Sequence, residues 1–407
     1  MVREGWSGWV ATVAAGALAA PLVFGAPRAA DDAVRRRLDQ QLAAQGKQIF
    51  RYDTFGDEVF WTDTLRHHEV IEHSVSPEMA LQVGLKVDAD ALPQSVKDAL
   101  KAGKVDLKSP ATTVTLLKLN AVVGLKGTVR TVGGRDTLTR LGITCALCHS
   151  TVDNSFAPGI GHRLDGWPNR DLNVGAIVAL SPKLTAAQKA VYTSWGKGMY
   201  DARYNIDGKN LPTVLPPAFG LRAVRKVIYT GDDTISYWNA YVAVTQMHGQ
   251  GSFTDRRLGI HLVRTPDLVT PTLPALRFYQ HSLNTPAPVP GSYDAAAAQR
   301  GRAVFTGAGQ CSTCHLPQAA YTDVNQGILH DPAQVGQDPV QAARSVTKKY
   351  RTTPLRGLYH PPELVGPYFH DGSAKTLDAV VDHYVRLRSL RLSPQQRHDL
   401  VEFLKTL

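Results

Sequence analysis

The sequence predicts a mainly α-helical protein of two units built on one plan, the first enlarged by a helical insertion. Three observations predict it. All four cysteines of the 407-residue chain fall into two identical frames, "CALCH" at 145–149 and "CSTCH" at 311–315. Short segments around the two frames repeat in the same order. Alternating β-branched runs are few while Gly (34) and Pro (25) are frequent, so short helices joined by long loops are expected rather than a large sheet. With 43% hydrophobic residues the chain can fill two cores.

The first residues bear on the compartment. "MVREGWSGWVATVAAGALAAPLVFGAPRAADDAVRRR" has one early arginine, an apolar run from Trp9 to Phe24 broken by Pro21, and small residues before charge resumes at Asp31. That is the layout of a secretory signal, assigned to residues 1–30. The run is short for a bilayer span, and nothing later is long and apolar enough to make one. The expectation is an exported, periplasmic protein with no stable membrane span. An uncleaved anchor is the alternative.

Export would normally turn an even cysteine count into disulfides, and two Cys-x-x-Cys pairs could also be redox dithiols or a four-sulfur zinc site. Neither chemistry calls for a histidine directly after the second cysteine, twice. Covalent haem does: the two thiols add to the two vinyl groups of the porphyrin, and the next residue is the proximal ligand of the iron. Cys145, Cys148, Cys311 and Cys314 are therefore expected to carry two c-type haems, with His149 and His315 on the irons.

The repeats place the two units. "AAQGKQIF" (43–50) matches "AAQRGRAVF" (297–305), which leads into Cys311, and each reads as the first helix of a cytochrome c-type domain. "LRFYQHSL" (276–283) repeats the spacing of "LVEFLKTL" (400–407), with Leu276, Tyr279 and Leu283 answering to Leu400, Phe403 and Leu407. Between them, "PPAFGLRAV…YTGDDTISYWNAYV" (216–242) echoes "TPLRGLYHPP…YFHDGSAKTLDAVVDHY" (353–384). The proline-rich "NTPAPVPGS" (284–292) then reads as a linker. This gives a first domain over 31–285 with haem 1 and a second over 286–407 with haem 2. The second unit reaches its cysteines a few residues after the opening helix, whereas the first has an insertion over 51–140. Helices are expected there at 57–74, 88–103 and 109–127, the last with Pro110 in its first turn.

"YRTTPLRGLYHPPELVGPYFHDGSAKTLDAVVDHY…LSPQQRHDLVEFLKTL" resembles the C-terminal haem domain of bacterial dihaem cytochrome c peroxidases and the related MauG-type enzymes. The resemblance rests on Thr353-Pro354-Leu355-Arg356, on Pro367-Tyr368-Phe369-His370-Asp371-Gly372, and on Thr376-Leu377 with a ligand position seven residues after that leucine. The peroxidases carry methionine there; this chain has Tyr384, as in the MauG type. The resemblance thus implies Tyr384 as second ligand of haem 2. Leu377, Val380, Val381 and Tyr384 share one helical face, and His383 is turned about 100° from it. His370 is expected to hydrogen-bond near haem 2. Trp167, 18 residues after His149, answers to the tryptophan that relays electrons between the haems of those enzymes, with core packing as the plainer role.

The first half lacks the peroxidases' Phe-Trp-Asp-Gly-Arg stretch; "SYWNAY" (236–241) stands nearest to it. The distal side of haem 1 therefore has three candidate states: Met247, just beyond the helix matching that of Tyr384; His68, in the insertion; or no protein ligand at all. An open site could use Asp153, Asp165 or Asp171 as proton donor. The net charge of +10 favours an acidic redox partner protein, and without a basic cluster nucleic acid is not expected. Two functions are consistent with these residues: one-electron transfer through two covalent haems, or hydrogen-peroxide-dependent oxidation with haem 1 as the peroxide-binding centre.

Overall fold

The computed structural model describes residues 27–359 and 365–407. The expected signal segment lies outside them, apart from residues 27–30, the start of helix Pro27–Tyr52. Along that helix the chain divides into two compact units, one up to Gln41 and one from Leu42 to Leu407. The described side chains of the first, residues 32–41, are exposed. Among the described residues no helix is long and apolar enough to cross a membrane. Helices dominate the larger unit, and among the described residues its strands form only two-stranded pairs.

The repeats seen in the sequence recur as geometry. Helix Pro27–Tyr52 crosses helix Leu273–Ser282 at Gly46, where a Cβ would run into the Ala275 carbonyl. Helix Ala295–Thr306 crosses helix Pro394–Leu404 at Gly301, where a Cβ would run into the Asp399 carbonyl. Only glycine permits either approach. One turn on, Phe50 meets Tyr279 edge to face at 5.6 Å, and Phe305 meets Phe403 at 5.2 Å. The middle echo holds too. Gly220 N–H donates to the Leu283 carbonyl (2.9 Å) and Gly357 N–H to the Leu407 carbonyl (2.8 Å). Helix Ile235–Tyr241 is capped by Thr234, and helix Leu377–Leu387 by Thr376, each accepting from the third residue on. In this register Tyr384 corresponds to Val242.

The insertion differs in part from the expected run of helices. The helix expected over 57–74 is broken at Arg66, whose φ is 58°, into a π-helical turn Val59–Thr64 and helix His67–Ser74. The one expected over 109–127 stops at Lys118. Beyond it the chain folds into an antiparallel hairpin, Leu125–Val132 against Arg135–Ile143, closed by Gly133-Gly134, both with positive φ. The two-residue glycine turn suits the twist of paired strands; Leu138 and Leu141, three apart, are both buried, and the pairing skips Thr139 between them, a bulge that breaks the strict alternation of faces. Leu138 and Leu141 pack with Ile71, Val75, Val114 and Leu117 in a core that takes in Leu147, between the first two cysteines. The insertion thus seats directly on the first Cys-x-x-Cys-His.

Candidate functional site

The first motif closes a short helix, Ala146–His149, straight after the hairpin. Cys145 and Cys148 are free thiols, and burial pushes both up to about 12, so neither is a reactive thiolate. His149 Nδ1 lies 3.1 Å from the Pro216 carbonyl. A carbonyl can only accept, so the proton sits on Nδ1 and the lone pair is left at Nε2, the arrangement of a metal-binding imidazole fixed by its second hydrogen bond. Burial lowers the His149 pKa to about 4 and keeps the ring neutral.

Both thiols and His149 line a cavity of about 320 Å³. Its other walls come from the insertion (Trp61, His67), from the turn after helix Ile235–Tyr241 (Met247, His248) and from Trp238. Met247 is 3% exposed. It ends a π-helical turn, Val242–Gln246, in which Met247 N–H donates back to the Val242 carbonyl. An i→i+5 turn returns the chain to the same side, so Met247 comes round above Val242, the counterpart of Tyr384. Trp61 Nε1 donates to the Met247 carbonyl at 3.2 Å and fixes that end.

His68 lies outside this lining, with its side chain toward Glu69. Its neighbour His67 occupies the wall, 2% exposed, with Nε2 at 3.0 Å from the Ile177 carbonyl and Nδ1 buried without a partner. A signal for His67 is present in the sequence: His67, Ile71 and Val75 recur at intervals of four and are all buried. His248, stacked on Phe60 at 3.6 Å and held neutral by burial with a pKa near 4, carries no such signal.

The cavity suits a haem. Its wall is largely apolar, it holds two thiols in vinyl-attachment spacing beside an imidazole with its Nε2 lone pair available, and Trp238 Nε1 and Arg351 Nε are buried with no partner. Trp167 is outside the lining; it meets Phe219 edge to face at 5.6 Å. Phe219 in turn packs on Gly357, and Gly166 N–H donates to the His149 carbonyl, so Trp167 stands between the first motif and the second half. The three aspartates are otherwise engaged. Asp165 is held by Arg51, Ser150 and Tyr279; Asp153 caps its own loop through Ser155; Asp171 pairs with Lys86.

The second motif repeats the proximal arrangement. His315 Nδ1 lies 3.0 Å from the Tyr321 carbonyl, and burial lowers its pKa to about 4. Cys311 and Cys314 are free thiols. The half-buried Tyr384 has its pKa pushed up to about 12, mainly by burial, and its ring meets those of Phe369 and His383 at 6.3 and 5.0 Å. His383 points elsewhere, its Nε2 2.9 Å from the Val335 carbonyl. His370 is buried and bonds Asp338 (2.6 Å) and Gln337 (3.1 Å). The thiol of Cys314 also lies with Asp323 and His330, ligand atoms within 4.8 Å, a group the sequence does not suggest.

Comparison with known proteins bears on the second motif. Residues 298–407 match the cytochrome c family, and this part of the chain is a cytochrome c domain, which implies covalently bound haem iron. The methylamine utilization protein MauG of Methylorubrum extorquens is 31% identical over 127 residues, 28% of this chain and 35% of that protein. The match therefore spans about a third of the curated relative, and the chain is MauG-like over that stretch. A solved structure of Kuenenia stuttgartiensis hydrazine synthase, pressurized with xenon, aligns with 48% of this chain and 72% of its own at 22% identity, with a TM-score of 0.30, too low to carry an argument.

Proposed function

We propose that the protein is an exported dihaem c-type cytochrome of the peroxidase and MauG type whose activity is one-electron transfer. Haem 1 is held by Cys145, Cys148 and His149, with Met247 as second ligand; haem 2 is held by Cys311, Cys314 and His315, with Tyr384 as second ligand. When bound, the haems supply reversible one-electron chemistry at iron. The chain's residues do the rest. The Pro216 and Tyr321 carbonyls orient the two imidazoles, the apolar wall of the cavity excludes water, and Trp167, packed on Phe219, is the candidate relay between the haems. The net charge of +10 favours an acidic partner protein.

The observation that carries this reading is the π-helical turn that sets a buried Met247 in the cavity of Cys145, Cys148 and His149. Mass spectrometry of protein matured in a periplasm should find two covalent haems, and Cys145→Ala with Cys148→Ala should leave one. Met247→Ala should convert one ferric haem from low to high spin, while His68→Ala leaves the spectrum unchanged. High-spin haem 1 in the unmodified protein would overturn the assignment of Met247.

A second reading has its own observation. The Nδ1 lone pair of His67 is buried on the wall of the same cavity with no donor to satisfy it. If haem 1 is open, that lone pair would accept a proton from hydrogen peroxide, and the protein would oxidise a substrate with it. High-spin haem 1 together with a loss of peroxide reactivity in His67→Gln would establish this reading.

A further inference from the structure

We infer that Arg351 and Arg170 are the counter-charges for the haem carboxylates at the first site. This rests on the proposal that Cys145 and Cys148 carry a haem, and it adds that the second half of the chain supplies part of that haem's binding site.

Interior arginines elsewhere in the fold have carboxylate partners. Arg344 pairs with Asp201 and Asp207, Arg203 with Asp232, Arg163 with Asp88, and Arg51 with Asp165. Arg170 and Arg351 are different. Arg170 Nη2 donates to the Val365 carbonyl at 2.8 Å, and its Nε and Nη1 are buried with no partner. Arg351 Nη1 donates to the Lys226 carbonyl at 3.0 Å, and its Nε is buried with no partner. Among the described residues no carboxylate forms an ion pair with either. Burial opposes both charges and takes Arg351 down to about 10. Tyr229 feels both guanidiniums, but its hydroxyl donates to the Val214 carbonyl and burial keeps the phenol neutral. Two half-buried guanidiniums with buried, unpartnered nitrogens and no anion are costly, and such a pair is expected only where an anion completes it.

Their positions say which anion. Arg351 lines the cavity with Cys145, Cys148 and His149. Arg170 is outside that lining but next to Asn169, whose N–H donates to the Cys148 carbonyl. A haem held by those cysteines brings two propionates into this enclosure, and a guanidinium fork matches a carboxylate in shape as well as charge. Arg351 belongs to the segment after the linker, and its N–H donates to the Tyr229 carbonyl. Haem 1 would therefore be the group that ties the two halves together at this point.

The test is spectroelectrochemistry of the full dihaem protein and of Arg351→Gln, Arg170→Gln and Arg351→Lys. Removing a cation leaves a propionate charge uncompensated near the iron, which favours the ferric form. For each Gln variant the ferric-to-ferrous ratio of haem 1 at fixed potential should rise on the order of tenfold, with a much smaller shift at haem 2. Arg351→Lys keeps the charge and should hold the potential near that of the unmodified protein, while the propionate bending band in resonance Raman moves because the fork is lost. Should a Gln variant fail to retain haem, the Lys variant still decides through that band. The inference is overturned if two haems are present and none of these substitutions moves the haem 1 potential or the band, or if the larger shift falls on haem 2. A protein with no haem on Cys145 and Cys148 would instead overturn the proposal beneath it.

Discussion

The two Cys-x-x-Cys-His motifs stand on the same frame and are closed by different means. Around the second, the frame closes itself: Val304, Phe305, Leu377, Val381, Leu400 and Phe403 form one small core with Cys311 packed against it, and the half-buried Tyr384 stands on the helix that supplies Leu377 and Val381. Around the first, the insertion adds a core of its own, and the helix matching that of Tyr384 carries Val242 there instead and then opens into a π-helical turn. The difference separates two jobs. The repeated helices and glycine crossings provide attachment and the anchored proximal imidazole; the parts that are not repeated decide what faces the iron from the other side.

The largest expected effect comes from the crossings that the two units share. Gly46→Val and Gly301→Val each drive a side chain into a carbonyl of the closing helix. Overpacking of this kind costs about 1–3 kcal/mol, and more where backbone must move. Thermal unfolding monitored in the Soret band should show a drop of several degrees for each variant. If the frames act alike, the drops will be similar. A much smaller drop for Gly46→Val would mean that the insertion, not the crossing, holds the first unit together.

Next comes the contrast between Tyr384 and Val242. If Tyr384 is the second ligand of haem 2, as proposed, its oxygen stabilises the ferric state, and Tyr384→Met should raise the potential of one haem and leave the other. His383→Ala removes the bond to the Val335 carbonyl and the ring contact with Phe369 at 4.8 Å and should cost about 1–2 kcal/mol of stability without a redox effect. Spectroelectrochemical titration of the two variants checks both. A redox shift in His383→Ala with none in Tyr384→Met would place the ligand one residue earlier in the helix.

Legibility in the sequence divides along the same line. The crossings are legible because a helix interface leaves a spaced pattern of apolar residues, and Leu276, Tyr279 and Leu283 have a second copy to be matched against. The histidine frames are legible because covalent haem attachment fixes residue types at fixed spacing. The hairpin is hidden by its helix-compatible lead: "SPATTVTLLK" is helical, and only Gly133-Gly134 marks the turn. The spacing of His67, Ile71 and Val75 marks His67 rather than His68 as the inward residue, but only for a helix that starts afresh at His67; the left-handed Arg66 that restarts it is what the residue types do not announce. Arg351 and Arg170 cannot be singled out at all. Their distinguishing feature is the lack of a carboxylate partner, a property of the packing and not of the residue.

A last contrast is how each half treats an acid at its main joint. At the closing helix of the second unit, Asp399 pairs with Arg300 and stays ionised, its pKa held down to about 2. Where the insertion meets the first unit, Asp57 is fully buried with only the Ile143 N–H at 3.3 Å to satisfy it. Burial, with the neighbouring Glu58 adding to it, pushes Asp57 up to about 10. A carboxyl that titrates near 4 in the unfolded chain therefore keeps its proton in the folded one. The sign comes from proton counts: between about pH 4 and pH 10 the folded state binds one more proton than the unfolded state, so stability falls as pH rises, by at most about 1.4 kcal/mol per pH unit from this group. Asp57→Asn keeps the shape and removes the titration. Chemical denaturation at about pH 5 and about pH 8 should show a shallower loss of stability for the variant, with an unchanged haem spectrum. Parallel curves for the two proteins would mean that Asp57 is ionised in the fold and that water reaches the joint beneath the insertion.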